Sequence, residues 1–173
     1  EMIRVCDEND VKLFVVKQNR HNRAVERLKG ELDTGRFGKL VMGTVRVRWC
    51  RTQEYYDQSP WRGTWAGDGG VFTNQASHHI DLLEWMLGDV DSVAAMATTR
   101  LVKIEAEDTA AAILRFRSGA LGIVEATTAT RPLDLEGSLS ILGEKGTVEI
   151  AGFAVNQIRT WMFSERLDGD DEV

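Results

Sequence analysis

The hydrophobic period of the chain changes near residue 90. Upstream, apolar residues recur mostly every three or four positions; downstream they alternate. Residues 22–34 place Val25, Leu28 and Leu32 on one face with Gly35 beyond the end, which predicts an amphipathic helix. Residues 69–88 predict a second, longer helix. Gly69 and Gly70 open it, and Ile80, Leu83 and Leu87 form its stripe. Phe72 and Ala76 extend the stripe backwards and Gly88 stops it. Residues 2–8 read as the last turns of another helix. Residues 11–17 form a short apolar run expected to be a strand buried on both faces. Residues 39–51 alternate, with Val41, Val45, Val47 and Trp49 on one face and Thr44, Arg46 and Arg48 on the other. After Gly88, strands are predicted at 92–102, 108–117, 120–128, 137–142, 147–150 and 155–163. Ser118-Gly119 and Gly143-Glu144-Lys145-Gly146 mark hairpin turns between them.

These elements imply an α+β fold: an open, mostly antiparallel β-sheet with helices on one face. In the strand at 120–128, Leu121 and Ile123 oppose Val124 and Ala126, so both faces are apolar. Two full helices cover only one of them. The uncovered face predicts a homo-oligomer built through the open sheet.

Composition narrows the function. Of 173 residues, 43% are hydrophobic, and 27 acidic against 21 basic side chains leave a net charge of −6. An acidic chain without a basic cluster is a poor partner for nucleic acid or an anionic membrane. No apolar run approaches a membrane span. Cys6 and Cys50 form no disulfide framework, which favours a reducing, cytoplasmic setting. The chain begins in mid-helix, and the acidic residues 168–173 read as a frayed tail. Both ends suggest a piece of a longer protein. Residues 1–18 are expected to be the tail end of a preceding domain, and residues 19–173 a substrate-binding and oligomerisation domain truncated at its C-terminus.

The candidate chemistry centres on His78. On a continuous helix it points about 200° away from Ile80, at roughly 100° per residue. Asn74 and Asp81 then share its side, one turn before and after. An imidazole titrates near neutrality and suits acid–base work on a hydroxyl. The plainer alternative is a histidine that caps a backbone carbonyl. A metal site at His78, His79 and Asp81 is not expected, because adjacent helical histidines diverge and His21 is isolated. Gln18 and Asn19 end an apolar run before a helix, a common ligand position, and their amides suit sugar hydroxyls. Arg62 lies between Trp61 and Trp65 in the long aromatic loop at 52–70, which reads as a lid. It is a candidate for a carboxylate or phosphate, or else a surface ion-pair partner. Tyr55 and Tyr56 stack on a ring or wall the cleft. Gly67-Asp68-Gly69-Gly70 does not follow a strand in a βαβ unit and is not a dinucleotide fingerprint.

The pattern Asn74-x-x-x-His78-x-x-Asp81-Leu82-Leu83 after Gly69-Gly70 resembles the second-domain signature of the glucose–fructose oxidoreductase, inositol dehydrogenase and MocA family. The strand-turn-helix at 14–28 and the hairpin at 141–150 fit the same family. The stretches 14–20, 55–65 and 74–78 resemble most the branch that oxidises UDP-N-acetylglucosaminuronate at C3 in bacterial surface-polysaccharide synthesis. The resemblance implies an NAD or NADP cofactor held mainly by an N-terminal domain, and a nucleotide-sugar substrate. It implies His78 as the catalytic histidine, with Asn74 where many members carry aspartate. It also implies substrate contacts from Gln18, Asn19, Tyr56, Arg62 and Gln75. Within the same family, another sugar or an inositol is the alternative substrate; outside catalysis, an oligomerisation or binding role is the alternative.

Overall fold

The computed structural model describes residues 1–170. Seven strands form one open sheet: β1 (Leu40–Arg48), β2 (Val90–Thr98), β3 (Thr109–Phe116), β4 (Leu121–Thr127), β5 (Glu136–Gly143), β6 (Gly146–Ala151) and β7 (Gln157–Phe163). Their order is β2-β3-β4-β1-β5-β6-β7, and every neighbouring pair is antiparallel except β1–β4. The expected α+β architecture is therefore present, with both predicted hairpins closing as read.

Two helices cover the middle of one face: α2 (Arg23–Asp33) and α5 (Ser77–Leu87). Val25 and Leu28 from α2 and Leu82, Leu83, Met86 and Leu87 from α5 meet Val45, Val124, Leu139, Ile141 and Val148 in a single core. The close approach of α5 depends on Gly43 at the centre of β1. A methyl there would lie 2.7 Å from Leu83 and 2.8 Å from Leu87. Beyond the helices the sheet is bare on both sides: along β2, Met96 is 84% exposed.

The opposite face is open. Arg46 and Arg48 of β1 meet Glu125 of β4 there, and Arg48 also reaches Glu136. Hydrogen bonds from Arg48 hold the Glu125 carboxyl below its ordinary range. The same face carries exposed apolar side chains, among them Ile113 of β3, Leu121 of β4 and Met162 of the edge strand β7.

Four local expectations change. The run at 11–17 pairs with no strand and is exposed, with Val15 at 83%; it joins neither free edge of the sheet, β2 or β7. Val41 leaves the buried face of β1: the register slips between Leu40 and Met42, and the extra residue turns Val41 outwards. The helix at 69–88 is two helices, α4 (Gly70–Thr73) and α5, separated by Asn74, Gln75 and Ala76. Asn74 has φ −94° and ψ −80°, outside helical geometry. The acidic tail is tied down as far as Asp170, which accepts hydrogen bonds from Arg36 and Trp161; residues 171–173 lie outside the described residues.

The remaining helices are short: α1 (Met2–Glu8), the 3₁₀ turn at Gln18–His21, and α3 (Gln53–Asp57) inside the aromatic loop. That loop is pinned rather than free. Asp68 accepts from the Gly63 amide at 2.7 Å, Glu105 from Trp65 at 3.1 Å, and Glu107 from Phe72 at 3.2 Å.

Candidate active site

The 3₁₀ turn joins three parts of the fold. Arg20 grips Asp81 of α5 through two hydrogen bonds of 2.8 and 2.9 Å, and its guanidinium lies over Trp85, 4.9 Å from the ring centre. Asn22, just after the turn, donates to the Ala154 carbonyl at 2.8 Å. The turn is thereby held between α5 and the β6–β7 connection. Gln18 is presented to the first turn of α5, where its amide nitrogen is 3.5 Å from His78 Nε2.

His78 is half-buried, with Nδ1 enclosed and without a protein partner. Nε2 is the nitrogen that faces Gln18. The structure thus brings together two residues 60 positions apart that the sequence suggested separately. Asn19 lies beside them, partly exposed, and its carbonyl accepts the Asn22 amide at 3.2 Å.

Asn74 is arranged differently from the sequence expectation. It terminates α4 rather than continuing into α5, so the four-residue offset to His78 is not a helical turn. Its amide donates to Asp68, and its carbonyl accepts from Ser77 Oγ at 2.8 Å. Asn74 therefore organises the junction on which α5 begins. Asp81, expected on the same flank, is occupied by Arg20. Gln75 is buried next to this junction with its Nε2 unpartnered.

The aromatic loop carries the remaining candidates, around a cavity separate from His78 and Gln18. Tyr56 is buried, and its hydroxyl is 2.9 Å from Thr128 Oγ1; burial raises its phenol above the usual range. Arg62 is turned onto its own loop. It donates to the Tyr55 carbonyl and the Gln58 amide, both at 2.7 Å, and stacks 4.2 Å over Tyr55. Beneath it lies a cavity of about 410 Å³ lined by Tyr56, Arg62, Lys103 and Glu105 among others. Trp61 and Trp65 are exposed instead of anchoring the loop.

One histidine escaped the sequence reading. His79 is only 1% exposed, lies edge-on to Trp49 at 5.8 Å, and has neither ring nitrogen partnered. Burial, reinforced by His78, pushes its pKa down to about 4. The available signal was its spacing: positions 79, 82, 83 and 86 follow the helical stripe. Among the described residues, no group of three or more His, Cys, Asp or Glu is placed to hold a metal ion.

An open seven-stranded sheet, backed by two helices and carrying a half-buried histidine at the first turn of the second, is consistent with a C-terminal domain of the GFO/IDH/MocA type. The chain belongs to that family: the model of its C-terminal domain matches residues 25–149. Among solved structures, the chain is similar to the WlbA dehydrogenase of Bordetella pertussis in complex with NADH and UDP-GlcNAcA. The two are 54% identical with a TM-score of 0.92, over 98% of this chain and 52% of that one. The WlbA dehydrogenase of Chromobacterium violaceum, also with NADH and UDP-GlcNAcA, is 50% identical with a TM-score of 0.91, over 99% and 50% of the two chains. A D-apiose dehydrogenase of Rhizobium rhizogenes is 26% identical over 154 residues, 87% of this chain and 43% of that protein. The chain spans about half the length of these relatives.

Proposed function

We propose that this chain is the substrate-binding part of an NAD-dependent dehydrogenase that oxidises a sugar hydroxyl, C3 of UDP-N-acetylglucosaminuronate. The observation that carries the reading is the pairing of His78 Nε2 with Gln18, in a chain 54% identical to a dehydrogenase bound to NADH and UDP-GlcNAcA. The corresponding role is a step in bacterial surface-polysaccharide synthesis in the cytoplasm.

In this reading His78 takes the hydroxyl proton through Nε2. Gln18 and Asn19 orient the sugar, since an amide both donates to and accepts from hydroxyls. Asn74 acts at one remove, by fixing the start of α5 through Ser77 and Asp68. Arg62 would have to release the Gln58 side chain to take a uronate carboxylate. Gln75 and Tyr56 line the wall behind it. A bound nicotinamide supplies the acceptor for the electron pair of the carbinol C–H bond, so the alcohol becomes a ketone.

The dinucleotide phosphates do not fit the glycine run of this chain. The Glu107 carboxylate already fills the space over Gly70 and accepts the Phe72 amide. The reading therefore assigns NAD, or NADP, to a preceding domain, with residues 1–18 as its last part. The exposed apolar side chains Met2, Ile3, Phe14, Val15 and Val16 offer it a surface to pack on. The open sheet face, apolar around its Arg48–Glu125 centre, is assigned to contact with further copies of the chain.

The test is His78→Ala in the full-length protein. Turnover of UDP-N-acetylglucosaminuronate is expected to fall by a factor of about 100 to 10,000, typical of a lost acid–base group. Unchanged turnover removes His78 from the mechanism. A panel including D-apiose and inositols tests the alternative within the family, which the 26% identity to a D-apiose dehydrogenase keeps open.

A further inference from the structure

We propose that Phe153 and Arg131 hold the nucleotide end of the substrate, a pyrimidine ring stacking on Phe153 and the diphosphate meeting Arg131. The inference rests on the nucleotide-sugar reading above and adds to it the residues that separate a nucleotide sugar from a free sugar.

Phe153 occupies the connection between β6 and β7. One face of its ring stacks on Trp49, with centroids 4.7 Å apart and 26° between planes, yet the residue remains 49% exposed. An aromatic pair that closes a core hides both rings; this one leaves a flat outer face in solvent, backed by a second ring. The turn that presents it is held under strain. Gly152 has φ 91° and Val155 has φ 50°, although Val155 is β-branched and fully buried. Three hydrogen bonds keep it there: Asn22 to the Ala154 carbonyl at 2.8 Å, Gly137 to Gly152 at 2.8 Å, and Asn156 to Ala151 at 3.1 Å. A backbone kept in a costly conformation with an exposed aromatic at its apex is a rigid platform.

The platform adjoins the proposed reaction centre. Asn22 follows the 3₁₀ turn that delivers Gln18 to His78, and Trp49 touches the edge of His79. Beside Phe153 is a cleft of about 420 Å³, lined also by Asp134, Leu135, Glu136, Ile158 and Arg159 and large enough for a planar ring; its two carboxylates are paired, Asp134 with Arg51 and Glu136 with Arg48.

Arg131 supplies the charge. Its guanidinium donates to the carbonyls of Thr128, Thr130 and Arg51, at 3.1, 2.7 and 3.0 Å, and to Cys50 Sγ at 3.7 Å. Among the described residues these anchors are uncharged, and Glu54 senses the cation without forming an ion pair with it. The neighbouring cations are committed: Arg51 to Asp134 at 3.2 Å, Arg48 to Glu136 at 2.9 Å and Arg159 to Glu149 at 3.1 Å. A guanidinium oriented by carbonyls and not neutralised is suited to phosphate oxygens. A free sugar or inositol carries neither a base nor a diphosphate to meet Phe153 and Arg131.

The experiment measures UDP and uridine as competitive inhibitors of the full-length protein. F153A is expected to weaken both by about ten- to a hundred-fold, the size of one lost base–aromatic stack. F153Y should stay within about threefold of the original, because the ring face is kept. R131Q should weaken UDP by about tenfold or more and leave uridine alone. If F153A leaves UDP inhibition within about twofold while the nucleotide sugar is still oxidised, the platform is wrong and the function stands. A protein that oxidises a free sugar and is inhibited by neither ligand overturns the nucleotide-sugar reading and this assignment together.

Discussion

His79 carries the strongest pH dependence of any residue near the site. In the folded chain its pKa lies near 4; in an unfolded chain it returns to about 6.5. The unfolded state therefore binds an extra proton as pH falls, and the native state resists it. His79 contributes stability that is fully present above pH 6.5 and is lost progressively between there and pH 4, about 3 kcal/mol in all. His79→Phe keeps a planar aromatic ring, somewhat larger than imidazole, against Trp49 while removing the titration. Thermal midpoints of the full-length protein between pH 4 and 7 should fall less for the variant than for the parent. Parallel curves would mean that the ring is not buried neutral. His78 was legible in the sequence as a candidate because its side of the helix, away from Ile80 and shared with Asn74 and Asp81, reads as polar. His79 was not, because two adjacent histidines invite a shared role, and only the stripe of Leu82, Leu83 and Met86 separates them.

At the level of elements, the junction between α4 and α5 decides where His78, the proposed base, points. The helix that leads into it, α4, begins at Gly70, whose φ of 81° and lack of a side chain admit the Glu107 carboxylate; a Cβ there would clash with it. Gly70→Ala combines backbone strain with this clash, and should cost about 2 kcal/mol or more of stability. The double variant with Glu107→Ala should recover part of the loss, a coupling visible in denaturant midpoints. Additive losses would show that the contact is immaterial. Periodicity alone read one helix here, since Phe72, Ala76, Ile80 and Leu83 keep helical spacing through the break. The departure lies in the backbone of Asn74, whose amide is drawn to Asp68, a contact within the loop that no periodic pattern records.

Across the whole molecule, the helices protect one side of the sheet and leave the other as an apolar surface with an ionic centre. Ile113 is 59% exposed on that side, opposite Ile123 in the β3–β4 register. If copies of the chain meet there, Ile113→Arg places an unpaired charge in the contact and should yield smaller particles by light scattering, without unfolding. A parent protein that is itself monomeric at micromolar concentration would refute this assignment of the face. The expectation came from the sequence, because alternating strands with apolar residues on both sides need two covers and only two helices were on offer. The bare β2 edge was not foreseen, as nothing in its own pattern shows how far α5 extends.

The order of hydrophobic and polar residues was by itself enough to find the seven strands of the sheet, the two hairpins, the amphipathic helix α2 and the class of sheet, because each depends on neighbours a few positions away, though it also read a strand at 11–17. It also singled out His78, Gln18 and Asn19 as chemistry. Which groups meet was decided by tertiary structure. Arg20 reaches Asp81 across 61 residues, Asn22 reaches Ala154 across 132, and Trp49 stacks on Phe153 only because β1 lies in the middle of the sheet. Such pairings depend on strand order and on the seating of α5 over Gly43, and a local pattern carries no information about either.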